Sequence, residues 1–322
     1  MSVLVTGANG FIGTHLVDRL LKEPAFGEIV CVGRSPYLNY APERIKSYAF
    51  DLGETDPKEN DFHALDTICK NHKPKTIFHL ASKATVKEEG NPYKIIQDNI
   101  ISTQKVIHAA PQGCRVVLAS TVIVYGDWWA GDLTKPESTF VVIYCDEDLA
   151  TIPTSTYGIT KRASESLIEV HTNMGDINGV SARLCATVGN GVTHGVIKDF
   201  IRKLKNDNPN LEALGAEPGS TKPYCHINDT IDALMLLAKS EEIGAFNVAP
   251  DDSINIAGVA KAVMKGCGIE KPIKWLGEGA NWKGDNRIIS VSNMKLKNIG
   301  WKLKYPKSTD AIEDAVKRII GS

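Results

Sequence analysis

The stretch of residues 2–21 constrains the fold of this chain more than any other. Its apolar run Val3–Val5 predicts a buried parallel strand, and apolar residues recur at helical spacing over residues 11–21. Three glycines separate the two: Gly7, Gly10 and Gly13. Such glycines allow a sharp turn, a close approach of the backbone to a pyrophosphate, and tight packing of helix on strand. The helix N-terminus adds N–H groups and a positive dipole end. This order of strand, turn and helix predicts a dinucleotide-binding site.

Composition and charge exclude several classes of protein. The 322 residues are 43% hydrophobic and 23% charged, with a formal net charge of −1, which is typical of a globular protein and gives no sign of a nucleic-acid partner. No apolar run approaches membrane-spanning length, and a strand starting at residue 2 leaves no room for a signal peptide. The seven cysteines are scattered, without a CxxC pair, which predicts reduced thiols and no metal site. We therefore expect a cytoplasmic protein that binds neither nucleic acid nor membrane.

Strand-like and helix-like segments alternate along most of the chain. Strands are predicted at 28–32, 47–50, 75–80, 115–119 and 180–184, and helices at 62–71, 92–110 and 157–171. The alternation predicts an α/β fold with a parallel sheet and right-handed crossovers.

Ligands of such sheets bind beyond the carboxyl ends of the strands, so the residue after the second strand influences the choice of cofactor. Arg34 occupies this place, where a carboxylate would contact a ribose hydroxyl. An arginine suits the 2′-phosphate of NADP, although it could also stack on adenine or lie in solvent. NAD and NADP therefore both remain candidates.

A tyrosine and a lysine, Tyr157 and Lys161, lie four residues apart and so share one face of a predicted helix. An ammonium near a phenol favours the phenolate, which should lower the pKa of Tyr157 toward neutrality from about 10. Tyr157 would then be a usable proton acceptor. This spacing occurs by chance in many proteins, but here it accompanies the glycine turn and a Ser120-Thr121 strand end, which favours a functional pair.

These motifs resemble the extended short-chain dehydrogenase/reductase family, and within it the nucleotide-sugar epimerase and dehydratase branch. The matching segments run in order along nearly the whole chain: TGANGFIG (6–13), Asp51-Leu52, HLAS (79–82), Asn99, STVIVYG (120–126), YGITK (157–161), ARL (182–184), KPYCHINDT (222–230), FNVAP (246–250), WKGD (282–285) and IGWK (299–302).

The resemblance implies a fold class: α/β, a Rossmann doubly wound parallel sheet with a smaller C-terminal α/β substrate-binding lobe. The NAD(P)-binding domain would span residues 1–188, with the segment 224–250 returning to it, and the substrate-binding lobe would comprise 189–223 and 251–322.

The resemblance also implies roles for individual residues. Tyr157 would be the catalytic acid/base, Lys161 would hold the nicotinamide ribose, and Thr121 would hydrogen-bond the sugar oxygen being oxidised. The implied cofactor-binding residues are Gly7, Asn9, Gly10, Phe11, Ile12, Gly13, Arg34, Asp51, Leu52, Leu80, Ala81, Ser82, Asn99, Tyr157 and Lys161. The implied substrate-binding residues are Thr85, Thr121, Lys222, Tyr224, Lys283 and Arg287.

The sequence departs from its relatives directly after Thr121. The sugar 4,6-dehydratases have an acidic pair there, and the UDP-glucuronate decarboxylases have a glutamate two positions on, whereas this chain has Val122 and Ile123. Because these side chains cannot exchange protons, a dehydratase is disfavoured. We expect a nucleotide-diphosphate-sugar epimerase, acting at C4 through a 4-keto sugar with tightly bound NAD or NADP. The alternatives are an NADP-dependent reductase of an NDP-4-keto sugar and a non-catalytic dinucleotide-binding protein.

Two further features concern assembly and the substrate region. By resemblance, the helices 92–110 and 157–171 would pair with their symmetry mates to form a homodimer. The segment 127–145 is long for the family and contains Trp128 and Trp129, so it could form a lid, an interface or a small satellite core.

Overall fold

The computed structural model of the chain describes residues 1–37, 43–56, 63–83, 92–131, 140–277 and 286–321. The chain forms two compact units. The first unit comprises Met1–Thr121, Thr156–Arg183 and Ile231–Phe246, and the second comprises Val122–Ser155, Leu184–Thr230 and Asn247–Ser322. The predicted domains are defined by what they bind, one the cofactor and the other the substrate, so this assignment stays a prediction.

The strands are β1 (Val3–Thr6), β2 (Ile29–Gly33), β3 (Ile45–Ala49), β4 (Thr76–His79), β5 (Cys114–Thr121), β6 (Trp129–Gly131), β7 (Phe140–Val142), β8 (Ile177–Leu184), β9 (Ala186–Val188), β10 (Leu211–Ala213), β11 (Thr221–Lys222), β12 (Tyr224–His226), β13 (Gly244–Val248), β14 (Ile254–Asn255) and β15 (Ile273–Trp275). The helices are α1 (Phe11–Leu21), α2 (Ala64–His72), α3 (Pro92–Ile96), α4 (Ser102–Ala109), α5 (Thr156–Asn173), α6 (Val196–Leu204), α7 (Ile227–Lys239), α8 (Ile256–Cys267), α9 (Met294–Asn298) and α10 (Ser308–Ile320).

A seven-stranded sheet organises the first unit, in the order β13-β8-β5-β4-β1-β2-β3. The strands β3, β2, β1, β4 and β5 pair in parallel. Every residue of β1 and of β5 is buried, as expected for parallel strands that helices cover on both faces. The predicted Rossmann α/β fold is confirmed.

The helix predicted over residues 92–110 contains an irregularity. A π-helical turn, Gln97–Ile101, joins α3 to α4. Such turns are rare and frequently occur at functional sites. Asn99 lies within this turn and is 1% exposed, so the irregularity presents a polar side chain to the interior of the first unit.

The second unit has its own hydrophobic core, which α6, α8 and α10 supply together with short strands. Its buried members include Phe200, Leu211, Val263 and Val316. The strand pairs β9–β12, β10–β15, β11–β14 and β6–β7 complete this unit. The hairpin β6–β7 forms part of the long segment after Gly126, and the Trp128 indole N–H donates to the Tyr125 carbonyl oxygen at 2.9 Å. Among the described residues, none of the helices has the length and apolar character needed to span a membrane.

Candidate functional site

The glycine turn between β1 and α1 has the geometry of a phosphate cradle. Gly7 has φ +69°, and a Cβ there would lie 2.7 Å from the backbone nitrogen of Ala81. A Cβ on Gly13 would lie 2.2 Å from the Gly7 carbonyl oxygen, so only glycine fits either position. Gly10 occupies the N-cap of α1 without a side-chain cap, and it is exposed. The start of α1 therefore presents backbone N–H groups to which a pyrophosphate can bind.

Polar groups at the ends of β2 and β3 extend this cradle. The Asn9 side-chain amide donates to the backbone and hydroxyl oxygens of Ser35, at 2.7 and 2.9 Å, which ties the glycine turn to the loop carrying Arg34. Asp51 accepts from the Gly53 N–H at 2.8 Å and from Lys94 Nζ at 2.7 Å. Burial works to raise the pKa of Asp51, but these bonds and the charges of Lys94 and Arg34 lower it.

The loop after β4 and the π-helical turn lie next to each other. The Ala81 N–H donates to Thr6 Oγ1 at 3.2 Å, which holds the loop against β1. Asn99 accepts from the Lys83 N–H at 2.8 Å and donates to Thr160 Oγ1 at 2.9 Å. Asn99 therefore links this loop to α5. Other residues predicted to bind cofactor in this unit are half-buried, namely Phe11, Ile12, Leu80 and Ser82, whereas Leu52 lies in the core.

The structure brings the three predicted catalytic residues together. Thr121 ends β5 and hydrogen-bonds Tyr157, which lies in the first turn of α5. Burial raises the pKa of Tyr157 to about 12, and the bond with Thr121 only partly opposes the rise. The predicted shift toward neutrality is therefore not found in this structure: Tyr157 is half-buried, and desolvation of its phenolate outweighs the bond with Thr121.

Lys161, one turn beyond Tyr157, is 2% exposed. Burial lowers its pKa to about 8, and the charge of Glu165 opposes this shift. Glu165 is fully buried and accepts hydrogen bonds from Arg183, at 3.0 and 2.9 Å, and from the Ser120 hydroxyl. The sequence-based site omitted this cluster, although Ser120 and Arg183 both lie in the motifs that carry the resemblance.

His79 is a second buried group that sequence reasoning did not place in the site. Its ring nitrogens bond the hydroxyls of Thr6, at 2.8 Å, and Thr103, at 3.1 Å. Burial, reinforced by the nearby Lys161 charge, lowers the pKa of His79 to about 3. His79 is therefore neutral at physiological pH and joins β4 to β1 and α4. Its position in the HLAS segment was the available signal.

The residues predicted to bind substrate lie mostly in the second unit. The Thr221 N–H donates to the Arg287 carbonyl oxygen at 2.7 Å, so Lys222 and Arg287 belong to adjacent chain segments. Tyr224 is 5% exposed and packs in the core of this unit. Thr85 and Lys283 lie outside the described residues. The ligand contacts of all the proposed binding residues stay predictions.

Comparison with known proteins agrees with this fold. The chain belongs to the NAD dependent epimerase/dehydratase family, whose model matches residues 3–249. It is 28% identical to UDP-glucuronic acid decarboxylase 6 of Arabidopsis thaliana, covering 100% of this chain and 90% of the relative. It is 26% identical to UDP-glucose 4-epimerase of Halalkalibacterium halodurans, covering 98% and 94%.

A solved structure shows the same fold at lower identity. The crystal structure of the Thermus thermophilus UDP-glucose 4-epimerase in complex with NAD superposes with a TM-score of 0.81 at 22% identity, covering 98% of this chain and 99% of that one. The predicted family and enzyme class are confirmed, as is the prediction of a nicotinamide dinucleotide cofactor.

Proposed function

We propose that this chain is a nucleotide-diphosphate-sugar 4-epimerase acting on UDP-sugars. The observation that carries the proposal is the hydrogen-bonded pair Thr121–Tyr157, with Lys161 one helical turn away. The next two residues, Val122 and Ile123, are aliphatic, so this strand end offers a proton carrier and no additional acid. The Halalkalibacterium halodurans relative, a UDP-glucose 4-epimerase, supports this choice of substrate.

The chain's own groups would manage the proton of the sugar hydroxyl. A bound nicotinamide supplies the chemistry of hydride removal from C4 and return to the opposite face. Tyr157 would exchange one proton with the sugar oxygen: the phenolate takes the C4 hydroxyl proton as hydride leaves C4, and the phenol returns that proton as hydride comes back. Its pKa of about 12 favours the phenol, whereas the positive charges of Lys161 and of a bound oxidised nicotinamide would favour the phenolate. Thr121 orients the phenol through its hydrogen bond, and Lys161 places a positive charge beside the site.

The first unit has the groups needed for a dinucleotide. The glycine turn suits a pyrophosphate because Gly10 leaves the start of α1 exposed, and Gly7 and Gly13 allow the tight packing that holds the turn in place. Asp51 and the loop 80–82 would border the adenosine and nicotinamide ends. The Thermus thermophilus neighbour contains NAD. A preference for NADP rests on the exposed Arg34 and stays a prediction.

Two cations of the second unit are suited to a diphosphate. Lys222 and Arg287 are half-buried and lie on adjacent segments, so both side chains can contact the same polyanion. We assign them to the substrate diphosphate. Thr85 and Lys283 remain further proposed contacts.

A decarboxylase of UDP-glucuronic acid is a second candidate, because the Arabidopsis thaliana relative is of that kind and aligns with 100% of this chain and 90% of its own length. Ile123 opposes it, since it stands where those enzymes have a glutamate. The two activities differ in product: the decarboxylase releases carbon dioxide and a UDP-pentose, and the epimerase retains every carbon. A reductase would differ from both by consuming reduced cofactor.

We also propose a homodimer in the cytoplasm. Exposed apolar side chains on α3 and α5 support the dimer, with Tyr93 72%, Ile96 42%, Ile159 55% and Val170 50% exposed. Contiguous exposed apolar surface often marks a protein interface. The seven cysteines are all free thiols, as expected in a reducing compartment.

Substitution of Tyr157 tests the proposed chemistry. Tyr157→Phe removes only the oxygen that carries the proton, so turnover of UDP-glucose should fall at least about 100-fold. Binding of NAD and UDP-glucose should change little. Tyr144→Phe is the matched control, because Tyr144 is 65% exposed and lies in the other unit. Full activity in Tyr157→Phe would contradict the assignment.

A further inference from the structure

The helix face that carries Tyr157 and Lys161 continues to a third ionisable residue, Glu165. The three side chains lie four residues apart on α5 and therefore share one face. Glu165 is 0% exposed. A carboxylate is almost never buried so completely unless partners compensate for its lost hydration.

Glu165 has partners on two strands of the sheet. Arg183, on β8, donates from Nε to Oε1 at 3.0 Å and from Nη2 to Oε2 at 2.9 Å. Ser120, on β5, donates its hydroxyl to Oε1. Because Ser120 directly precedes Thr121, this bond fixes the strand end that presents Thr121 to Tyr157.

The charges around Lys161 single out Glu165. From α5, Tyr157 and Glu165 face it. His79 approaches it from β4. Arg183 from β8 and Arg162 from α5 act through Glu165, whose Oε2 lies 2.9 Å from Arg183 Nη2 and 3.7 Å from Arg162 Nη1. Tyr157 and His79 are neutral at physiological pH, since their pKa values are about 12 and about 3. The Glu165 carboxylate is thus the charge that counteracts burial at Lys161.

We propose that Glu165 is a positioning residue that keeps Lys161 protonated and holds Ser120 and Thr121 in register with Tyr157. The inference rests on the proposed function, in which Lys161 contacts the cofactor ribose. A purely structural ion pair would join α5 to the sheet without affecting the protonation of Lys161. The pH dependence of cofactor binding separates these roles.

The test is the affinity for NAD, measured by titration calorimetry across the pH range around the pKa of Lys161. Wild-type affinity should decline above about pH 8, as Lys161 loses its proton. Glu165→Gln removes the charge, so the decline should begin about 1 pH unit lower, giving about fivefold weaker binding near pH 8. Glu313→Gln should follow wild type, because Glu313 lies on α10 in the second unit and pairs with the exposed Lys265.

A double variant allows the measurement to be made without leaving a buried charge unpaired, which could prevent folding. Glu165→Gln alone leaves Arg183 buried without its partner, whereas Glu165→Gln with Arg183→Met removes both charges. We expect the double variant to show an acid shift smaller than that of Glu165→Gln, because it removes the Arg183 cation together with the carboxylate. A wild-type decline in both variants, or failure of both to fold, would overturn the inference. A wild-type chain that binds no NAD at any pH would overturn the proposed function as well.

Discussion

Burial sets the protonation states of the residues around Lys161. Tyr157, Lys161 and His79 all have pKa values displaced toward their neutral forms, to about 12, about 8 and about 3. The pKa of Tyr157 shifts in the direction opposite to the prediction, because spacing on a helix reveals a neighbouring charge and does not reveal the cost of desolvating the phenolate. The buried pair Glu165–Arg183 was not predicted either, because its members are 18 positions apart and charged residues usually face solvent.

The buried His79 predicts a specific loss of stability in acid. Its pKa is about 3 when folded and about 6.5 when unfolded, so the unfolded chain binds the proton first as pH falls through that window. Its contribution to the free energy of unfolding should fall by about 2 kcal/mol between about pH 7 and about pH 5. Urea unfolding of wild type and His79→Gln at both pH values measures it: the variant should lack this part of the decline. His108→Gln, at an exposed position on α4, is the control. Parallel declines in wild type and His79→Gln would contradict the assignment.

At the scale of elements, the sequence predicted β1, the glycine turn and α1 because strand, glycine and helix signals coincide within residues 2–21. The helix 92–110 was predicted as regular, and its π-helical turn was missed because hydrophobic periodicity does not distinguish one extra residue in a turn. The turn depends on tertiary bonds of Asn99 to Lys83 and Thr160, which no local pattern encodes.

The glycine turn predicts different outcomes for neighbouring substitutions. Gly13→Ala forces a Cβ to within 2.2 Å of the Gly7 carbonyl oxygen, so it should lower the free energy of unfolding by about 2 kcal/mol or more. A Cβ on Gly10 would lie 3.2 Å from the same oxygen, so Gly10→Ala should fold normally and bind NAD more weakly. Urea unfolding and NAD titration of both variants distinguish these effects. Equal stability of the two would show that Gly13 is not a packing position.

At the scale of the whole molecule, the order of the segments predicted the sheet and its crossovers, because few topologies satisfy alternating strands and helices. The oligomeric state is harder to predict from the sequence, because apolar residues on a helix can pack either in the core of the chain or against another chain. Ile159 shows this: it lies on the same helix as the buried Ile168, yet it is 55% exposed.

The exposed apolar residues of α3 and α5 predict a dimer that one charge can disrupt. Light scattering of wild type should give twice the chain mass of 35.0 kDa. Ile159→Lys should shift the mass toward the monomer, because burying an unpaired ammonium in an interface is unfavourable. Ile320→Lys is the control, since Ile320 is 38% exposed at the end of α10. A monomeric wild type would contradict the proposed dimer.

The products formed from UDP-sugars test the central claim most directly. The purified chain is incubated with NAD and, separately, UDP-glucose or UDP-glucuronic acid, without reductant, and the sugars are identified by proton NMR. We predict interconversion of a UDP-sugar with its C4 epimer, with no net change in reduced cofactor and no carbon dioxide released. Formation of a UDP-pentose with carbon dioxide from UDP-glucuronic acid, and no C4 epimer from either sugar, would contradict the epimerase assignment.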